Sequence, residues 1–202
     1  PFIGSAMDVQ FFVEDSTGRQ QVASLSLFGS DELLEPGLSV FSANLGLVSE
    51  TRVPNEQYDG DLAFSGFYER GLTSNFTLGG NLQATSTEAT AGIRLAAASS
   101  LGRLSTDIAA SSADFAGEQK MGYAFSANYR QFFDISPRTS VNLDFAGNVY
   151  SENFSTLGDG IDIQPREWDA AGRASIQLPW SGSLTFGARA SKGRGNFPDE
   201  QQ

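Results

Sequence analysis

The chain has 202 residues, of which 40% are hydrophobic, and a formal net charge of −11 from 13 basic and 24 acidic residues. A chain this acidic lacks the basic face that contacts with phosphates need, so we expect no nucleic-acid partner. It contains no Cys and no His, which excludes disulfides, thiolate metal sites and a Ser-His-Asp triad. We therefore predict no catalytic residues, no metal site and no cofactor, and we do not expect an enzyme.

The hydropathy of the chain argues against a membrane-spanning helix. Mean hydropathy is −0.23, and no stretch approaches the ~18 consecutive apolar residues that such a helix needs. Strands of a membrane barrel escape this test, because half of each strand is polar and the hydropathy averages out. The 22 Gly and 16 Phe favour strands and tight turns over helices.

Residues 1–30 differ from the rest of the chain and predict a β-hairpin of soluble character. Two strand-like stretches, at residues 8–15 and 20–28, flank the turn-forming tetrapeptide Ser16-Thr17-Gly18-Arg19. Residues 31–37 then form a connector that ends at Pro36-Gly37. We expect a small β domain to end near residue 30 and a different architecture to begin at residue 38.

From residue 38 to residue 192 the chain repeats one pattern, in which apolar and polar residues alternate. In the third segment Phe76, Leu78 and Leu82 fall on one face, and Thr77 and Asn81 fall on the other. Successive side chains of a strand point to opposite faces, so each segment predicts a strand with one apolar and one polar face. The segments lie at residues 38–49, 60–72, 76–85, 89–97, 104–111, 123–130, 141–149, 168–178 and 184–191, and residues 193–202 form a polar tail.

The length of the segments separates a membrane barrel from a soluble β-sandwich, which also alternates. Strands of a sandwich usually have ~5–6 residues, whereas strands that cross a bilayer need about 9–11. Most segments here reach that second range. We predict an all-β fold, an antiparallel transmembrane β-barrel of which about eight or nine strands are present, preceded by the short soluble hairpin.

The predicted connections between segments alternate in length. Short turns are expected near residues 73, 101, 135 and 181, and longer loops near residues 54, 116 and 158, with a short exception at Ser86-Thr87. Outer-membrane barrels show this asymmetry, with short turns on the periplasmic side and longer loops outside.

Charged residues predict which face meets lipid. Six of them lie opposite the apolar face, and we expect the apolar face of these segments to carry no charge, since an Arg or Lys there costs about 2–4 kcal/mol at mid-bilayer. The polar face would then line a hydrated lumen. Two interpretations of the six residues stay open: they line a translocation pore and bind a plug, or they form salt bridges that stiffen the wall. The candidate pore-lining residues are Arg94, Asp107, Arg130, Asp144, Arg173 and Arg189.

Several strings in the chain resemble the pore of the fimbrial outer-membrane ushers of the chaperone–usher pathway. Residues 33–42 (LLEPGLSVFS) are similar to the family's LLRPGLSxYS, with Glu35 where a basic residue is common. Residues 75–80 (NFTLGG) are similar to its LTLYGG passage, and residues 101–107 (LGRLSTD) to its LGxLSxD passage. Residues 123–133 (YAFSANYRQFF) resemble its YRFSYSKRF segment. The order of these strings is more specific than any one of them, and the likeness covers most of residues 8–192.

The resemblance implies a barrel of about two dozen strands in the outer membrane of a Gram-negative bacterium, with a plug domain in its pore. It implies that residues 1–30 are the end of that plug and that residues 38–192 belong to the barrel wall. The implied partners are fimbrial subunits, periplasmic chaperone–subunit complexes and outer-membrane lipid. Because about nine strands are present, we expect the chain to be part of a longer protein.

Two other functions remain as alternatives. The chain would be a complete small outer-membrane barrel of the porin or adhesin type if segments two to nine closed on themselves as eight strands. It would be a soluble sandwich that binds a ligand or a partner if the apolar faces packed against each other. The strand count discriminates between the usher pore and the small barrel, and a purified chain that stays monomeric without detergent would argue for the sandwich.

Overall fold

The computed structural model describes residues 33–47, 62–115, 117–155, 166–179 and 182–194, and the backbone of residues 8–14, 20–26 and 200–201. The predicted turn at residues 16–19, the loop at residues 50–59 and most of the polar tail lie outside these ranges. The described residues form twelve strands: β1 (Asp8–Glu14), β2 (Gln20–Ser26), β3 (Ser39–Leu47), β4 (Leu62–Thr73), β5 (Phe76–Ala84), β6 (Glu88–Ser99), β7 (Gly102–Phe115), β8 (Glu118–Ser136), β9 (Thr139–Tyr150), β10 (Arg166–Gln177), β11 (Ser183–Gly193) and β12 (Glu200–Gln201).

The strands form two antiparallel sheets. β1 pairs with β2, as the hairpin prediction required. The other ten strands form one sheet in the order β12-β11-β10-β9-β8-β7-β6-β5-β4-β3, so each strand pairs with its neighbours in sequence. The predicted all-β antiparallel architecture is confirmed, with nine long strands and the two-residue β12. Within the described ranges there is no helix of the length and hydropathy that would cross a membrane.

The strand register sorts the side chains of this sheet into two faces, because directly paired residues point the same way. On the apolar face, the successive partners of one row across β3 to β8 are Phe41, Tyr68, Gly80, Ile93, Ile108 and Phe125. The opposite face, called the polar face below, carries Ser, Thr, Asn, Gln and charged residues. A single alternating pattern in each strand therefore builds two chemically distinct surfaces.

Burial on the two faces is the reverse of that in a water-soluble protein, because the large apolar side chains are exposed and many polar ones are buried. Large apolar side chains of the apolar face are exposed, with Phe41 at 75% and Ile108 at 56%. Strand residues that are polar and buried lie on the polar face, apart from Gln131, which reaches over the β6–β7 turn at Ser100. The buried polar residues of the polar face are Glu69, Thr77, Gln83, Thr90, Arg94, Ser105, Asp107, Ser111 and Ser191.

The prediction that the apolar face carries no charge is wrong. Arg70 pairs with Ser39 on the apolar face and is exposed. It lies three residues before the end of β4, and a long side chain at this position can extend its guanidinium towards that end of the strand. Asp114 and Lys192 share this face, each one residue before its strand ends. Charges therefore occur on the apolar face near strand ends.

The prediction of a longer loop near residue 116 is also wrong. β7 continues to Phe115 and β8 begins at Glu118, and these two residues are paired. Gly117 has a φ of +86°, which few residues other than glycine adopt, and its N–H donates to Oδ1 of Asp114 at 2.7 Å. The glycine and this hydrogen bond allow a tight hairpin where composition alone predicted a loop.

Two segments outside the strands lie against the polar face. Near the chain start, the N–H of Leu34 donates to Oγ1 of Thr77 at 2.9 Å. A Cβ at Gly71 would collide with the carbonyl oxygens of Leu34 and Glu35, so glycine is needed for this close approach. The connector therefore crosses β4 and β5 on their polar side before it enters β3.

The second segment is residues 151–155, which follow β9. The N–H of Ser155 donates to Oγ of Ser111 at 3.0 Å, and Oγ1 of Thr90 donates to the carbonyl of Ser155 at 3.1 Å. Phe154 is 3% exposed and packs with Ala109 and Ala124. The segment thus crosses β8, β7 and β6 on the polar face and contributes the apolar cluster of that side.

Candidate functional site

The six predicted pore-lining residues all lie on the polar face, in two groups. Arg94 and Asp107 are direct partners in the register of β6 and β7. Arg130, Asp144 and Arg173 are successive partners across β8, β9 and β10. Arg189 lies on β11, opposite Ala171 of β10.

The first group is a buried charge triad formed by Glu69, Arg94 and Asp107. Nε of Arg94 lies 3.9 Å from Oε1 of Glu69 and 3.8 Å from Oδ1 of Asp107. All three side chains are at most 10% exposed. A buried charge is tolerated when it is paired with an opposite charge. Here the two carboxylates compensate the positive charge of the buried arginine.

Gly79 makes the buried triad possible. In the register Glu69 pairs with Gly79, and Gly79 pairs with Arg94. A Cβ at Gly79 would lie 2.6 Å from Cγ of Glu69, closer than any ordinary contact. Since the glycine has no side chain, Glu69 reaches over β5 towards Arg94, two strands away.

The second group is exposed and centred on Asp144. Nε of Arg130 lies 2.7 Å from Oδ1 of Asp144, and Nη2 of Arg173 lies 3.7 Å from Oδ2. The amide of Asn142 donates to Oδ2 at 2.8 Å. The Asp144 side chain is 20% exposed, whereas those of Arg130 and Arg173 are 60% and 62% exposed. One carboxylate is thus shared by two arginines that still face solvent.

Two further arginines extend this group, which we call the arginine cluster: Arg103, Arg130, Arg173 and Arg189. Arg103 is the direct register partner of Arg130, and Arg103 and Arg189 are both exposed. Neither has an ion-pair partner in the part of the chain that the structure describes. The cluster thus contains four cations, of which Arg130 and Arg173 contact the carboxylate of Asp144.

Three arginines of the cluster, Arg103, Arg130 and Arg173, line a shallow groove of about 270 Å³, and Arg189 lies outside this lining. Small residues form part of its lining, among them Ser105, Ala146 and Ala171. Its one acidic residue, within the described ranges, is Asp144. The groove therefore presents arginine N–H donors beside small residues that leave space for a ligand.

Sequence reasoning missed three residues of this surface. Glu69 and Arg103 could have been identified from the alternation, because each is two residues from another polar-face position on its strand. Gly79 could not be recognised in this way, since its role depends on neighbours in β4 and β6. Among the described residues, no three Asp or Glu side chains lie together in a way that could hold a metal ion.

No protein-family model matches the chain, and no curated protein matches it.

Proposed function

We propose that the chain forms part of the wall of a transmembrane β-barrel in the outer membrane of a Gram-negative bacterium and acts as a fimbrial usher pore. In this function a periplasmic chaperone delivers fimbrial subunits, and the subunits pass outward along the polar face. The chain binds and guides its partners and performs no bond chemistry.

The observation that carries the proposal is the inverted burial of the sheet. Ile108 in the middle of β7 is 56% exposed, whereas Arg94 on the neighbouring strand is 4% exposed. A water-soluble protein buries the first kind of side chain and exposes the second. Contact with lipid removes a continuous apolar surface from water, and a polar lumen accepts the charged face.

The path of the connector supports a plugged pore. The resemblance to ushers implies that a plug precedes residue 38 and sits in the lumen. Leu34 and Glu35 lie against Gly71 and Thr77 on the polar face, which is the lumen side in this proposal. A chain that leaves a plug in the lumen reaches the wall from that side.

The extent of the sheet favours a wall larger than eight strands. β3 pairs with β4 over nine residue pairs, so it continues the sheet beyond the segments that a small eight-stranded barrel would use. β3 and β12 lie at opposite ends of the strand order. An arc of a larger barrel has this arrangement.

Single cysteines test the membrane proposal, because the chain has none of its own. Ile108→Cys places a thiol on the apolar face, and Asn128→Cys places one on the polar face. After reconstitution of the protein into phospholipid vesicles, a membrane-impermeant maleimide should label Asn128→Cys and leave Ile108→Cys unlabelled. In denaturant both should label equally. Faster labelling of Ile108→Cys in vesicles would contradict a lipid-facing apolar surface.

Deletion of the whole gene tests the usher function in the native host. Surface fimbriae should disappear, and chaperone–subunit complexes should accumulate in the periplasm, because the subunits then have no exit. Complementation with the full gene should restore the fimbriae. Unchanged fimbriae in the deletion strain would refute the usher function and leave the membrane wall to be judged by the cysteine experiment.

A further inference from the structure

The arginine cluster is not explained by the ion pairs of the sheet. Arg103 and Arg130 are direct cross-strand partners, and like charges in that position destabilise a sheet. The chain has 24 acidic residues, yet Asp144 is the one that reaches these arginines within the described ranges. A cost of this kind is offset when a ligand supplies the missing negative charge.

We infer that the arginine cluster and its groove bind an acidic peptide segment through the carboxylates of the segment. Asp144 shows how a carboxylate fits here, with one oxygen facing Arg130 and the other facing Arg173. Arg130 uses its Nε for that contact, so its terminal amino groups remain available as donors.

The dimensions of the cluster favour an extended peptide over a compact anion. The four arginines lie on β7, β8, β10 and β11, and with strands about 4.8 Å apart they cover about 19 Å. Six extended residues span about 20 Å, whereas a phosphate ion reaches two neighbouring arginines. The groove, at about 270 Å³, is also below the ~300–1,000 Å³ of enclosed small-molecule pockets.

This inference rests on the proposed function. It adds that the polar face contacts a translocated partner through acidic segments of that partner. It can be tested without a membrane. The probe is fluorescein-labelled hexaglutamate, titrated with the full chain in detergent micelles at low salt and followed by fluorescence anisotropy. Hexalysine with the same label serves as the peptide control.

The informative variant is the double substitution Arg103→Gln/Arg189→Gln, because neither residue has an ion pair in the described part of the chain whose loss would disturb the sheet. Its matched control is Arg70→Gln/Arg138→Gln, which changes the net charge equally. Arg70 lies on the apolar face, and Arg138 lies in the turn after β8.

We expect wild type to bind hexaglutamate saturably, whereas any binding of hexalysine to this acidic chain should be the same in wild type and in Arg103→Gln/Arg189→Gln. Arg103→Gln/Arg189→Gln should weaken binding about fivefold to tenfold, as expected for two exposed charge contacts, and the control variant should stay within about twofold of wild type. Higher salt should weaken binding, because the contacts are screened.

Three results would overturn the inference. The first is that wild type shows no saturable binding of hexaglutamate. The second is that both double variants lose affinity equally. The third is that inorganic phosphate binds as tightly as hexaglutamate. The last result would mean a general anion site without preference for a peptide. None of these results would affect cysteine labelling in vesicles, so failure of this inference is distinguishable from failure of the proposed function.

Discussion

At the scale of single residues, glycines set how closely other groups approach each other on the polar face. Gly79 lets Glu69 reach Arg94 across an intervening strand. Gly80, the next residue, points to the apolar face, where an added Cβ would have its nearest neighbour at 3.5 Å. Two adjacent glycines therefore have different roles that their sequence alone does not distinguish.

We expect Gly79→Ala to destabilise the protein by roughly 1–3 kcal/mol, because the methyl group displaces Glu69 from the buried triad in a tightly packed position. Gly80→Ala is the matched control and should be neutral or slightly stabilising, since alanine loses less backbone entropy on folding. Urea unfolding in detergent micelles, followed by tryptophan fluorescence, measures both variants. Equal destabilisation by the two substitutions would show that the triad does not depend on Gly79.

At the scale of elements, residues 151–155 lie across three strands. Their contacts reach Thr90 on β6 and Ser111 on β7, and Phe154 packs on Ala109 and Ala124. Gly122 leaves the space for the segment, because a Cβ there would collide with the backbone of residues 153 and 154. The strands thus determine where this segment lies.

Gly122→Ala should release residues 151–155 from the sheet, since the new methyl group occupies the position of their backbone. We expect amide hydrogen exchange of Phe154 and Ser155 to accelerate about tenfold or more, which corresponds to about 1.4 kcal/mol in local opening. Gly147→Ala is the control, because the nearest atom to a Cβ at Gly147 is 3.8 Å away. Unchanged exchange in Gly122→Ala would mean that the segment tolerates the collision by a small shift.

At the scale of the whole molecule, the placement of charges follows the two faces. Charges inside the strands lie mainly on the polar face, and those on the apolar face are near strand ends, as at Arg70. Ile108 lies in the middle of β7 on the apolar face. Under the proposed function this position is at mid-bilayer, where a cation is most costly.

Ile108→Arg should therefore reduce the stability of the protein in lipid vesicles by about 2–4 kcal/mol. Ser126→Arg is the control, because Ser126 lies on the polar face directly opposite Asp107, where a cation finds an acidic neighbour. Urea titration of folding into vesicles compares the two. A smaller cost for Ile108→Arg than for Ser126→Arg would argue against lipid on the apolar face.

The fold was largely predictable, and the candidate site only in part. The alternation in residues 38–192 predicted the strands and their two faces, because the period of two is a local property of the extended backbone. The tight hairpin after β7 was wrongly predicted as a longer loop, since Ala, Asp and Gly occur both in loops and in tight turns. The six predicted residues of the polar face were identified by alternation, whereas their grouping into a triad and a cluster was not.

The sequence by itself determined the all-β class, the long strands and the chemical difference between the two faces, because these depend on the order of side chains along each strand. Only the tertiary structure decided which charges become neighbours. The register brings Arg103 beside Arg130 and places Gly79 between Glu69 and Arg94. It also decided that residues 151–155 return over the polar face. Such contacts join residues far apart in the chain, and their geometry depends on every strand between them.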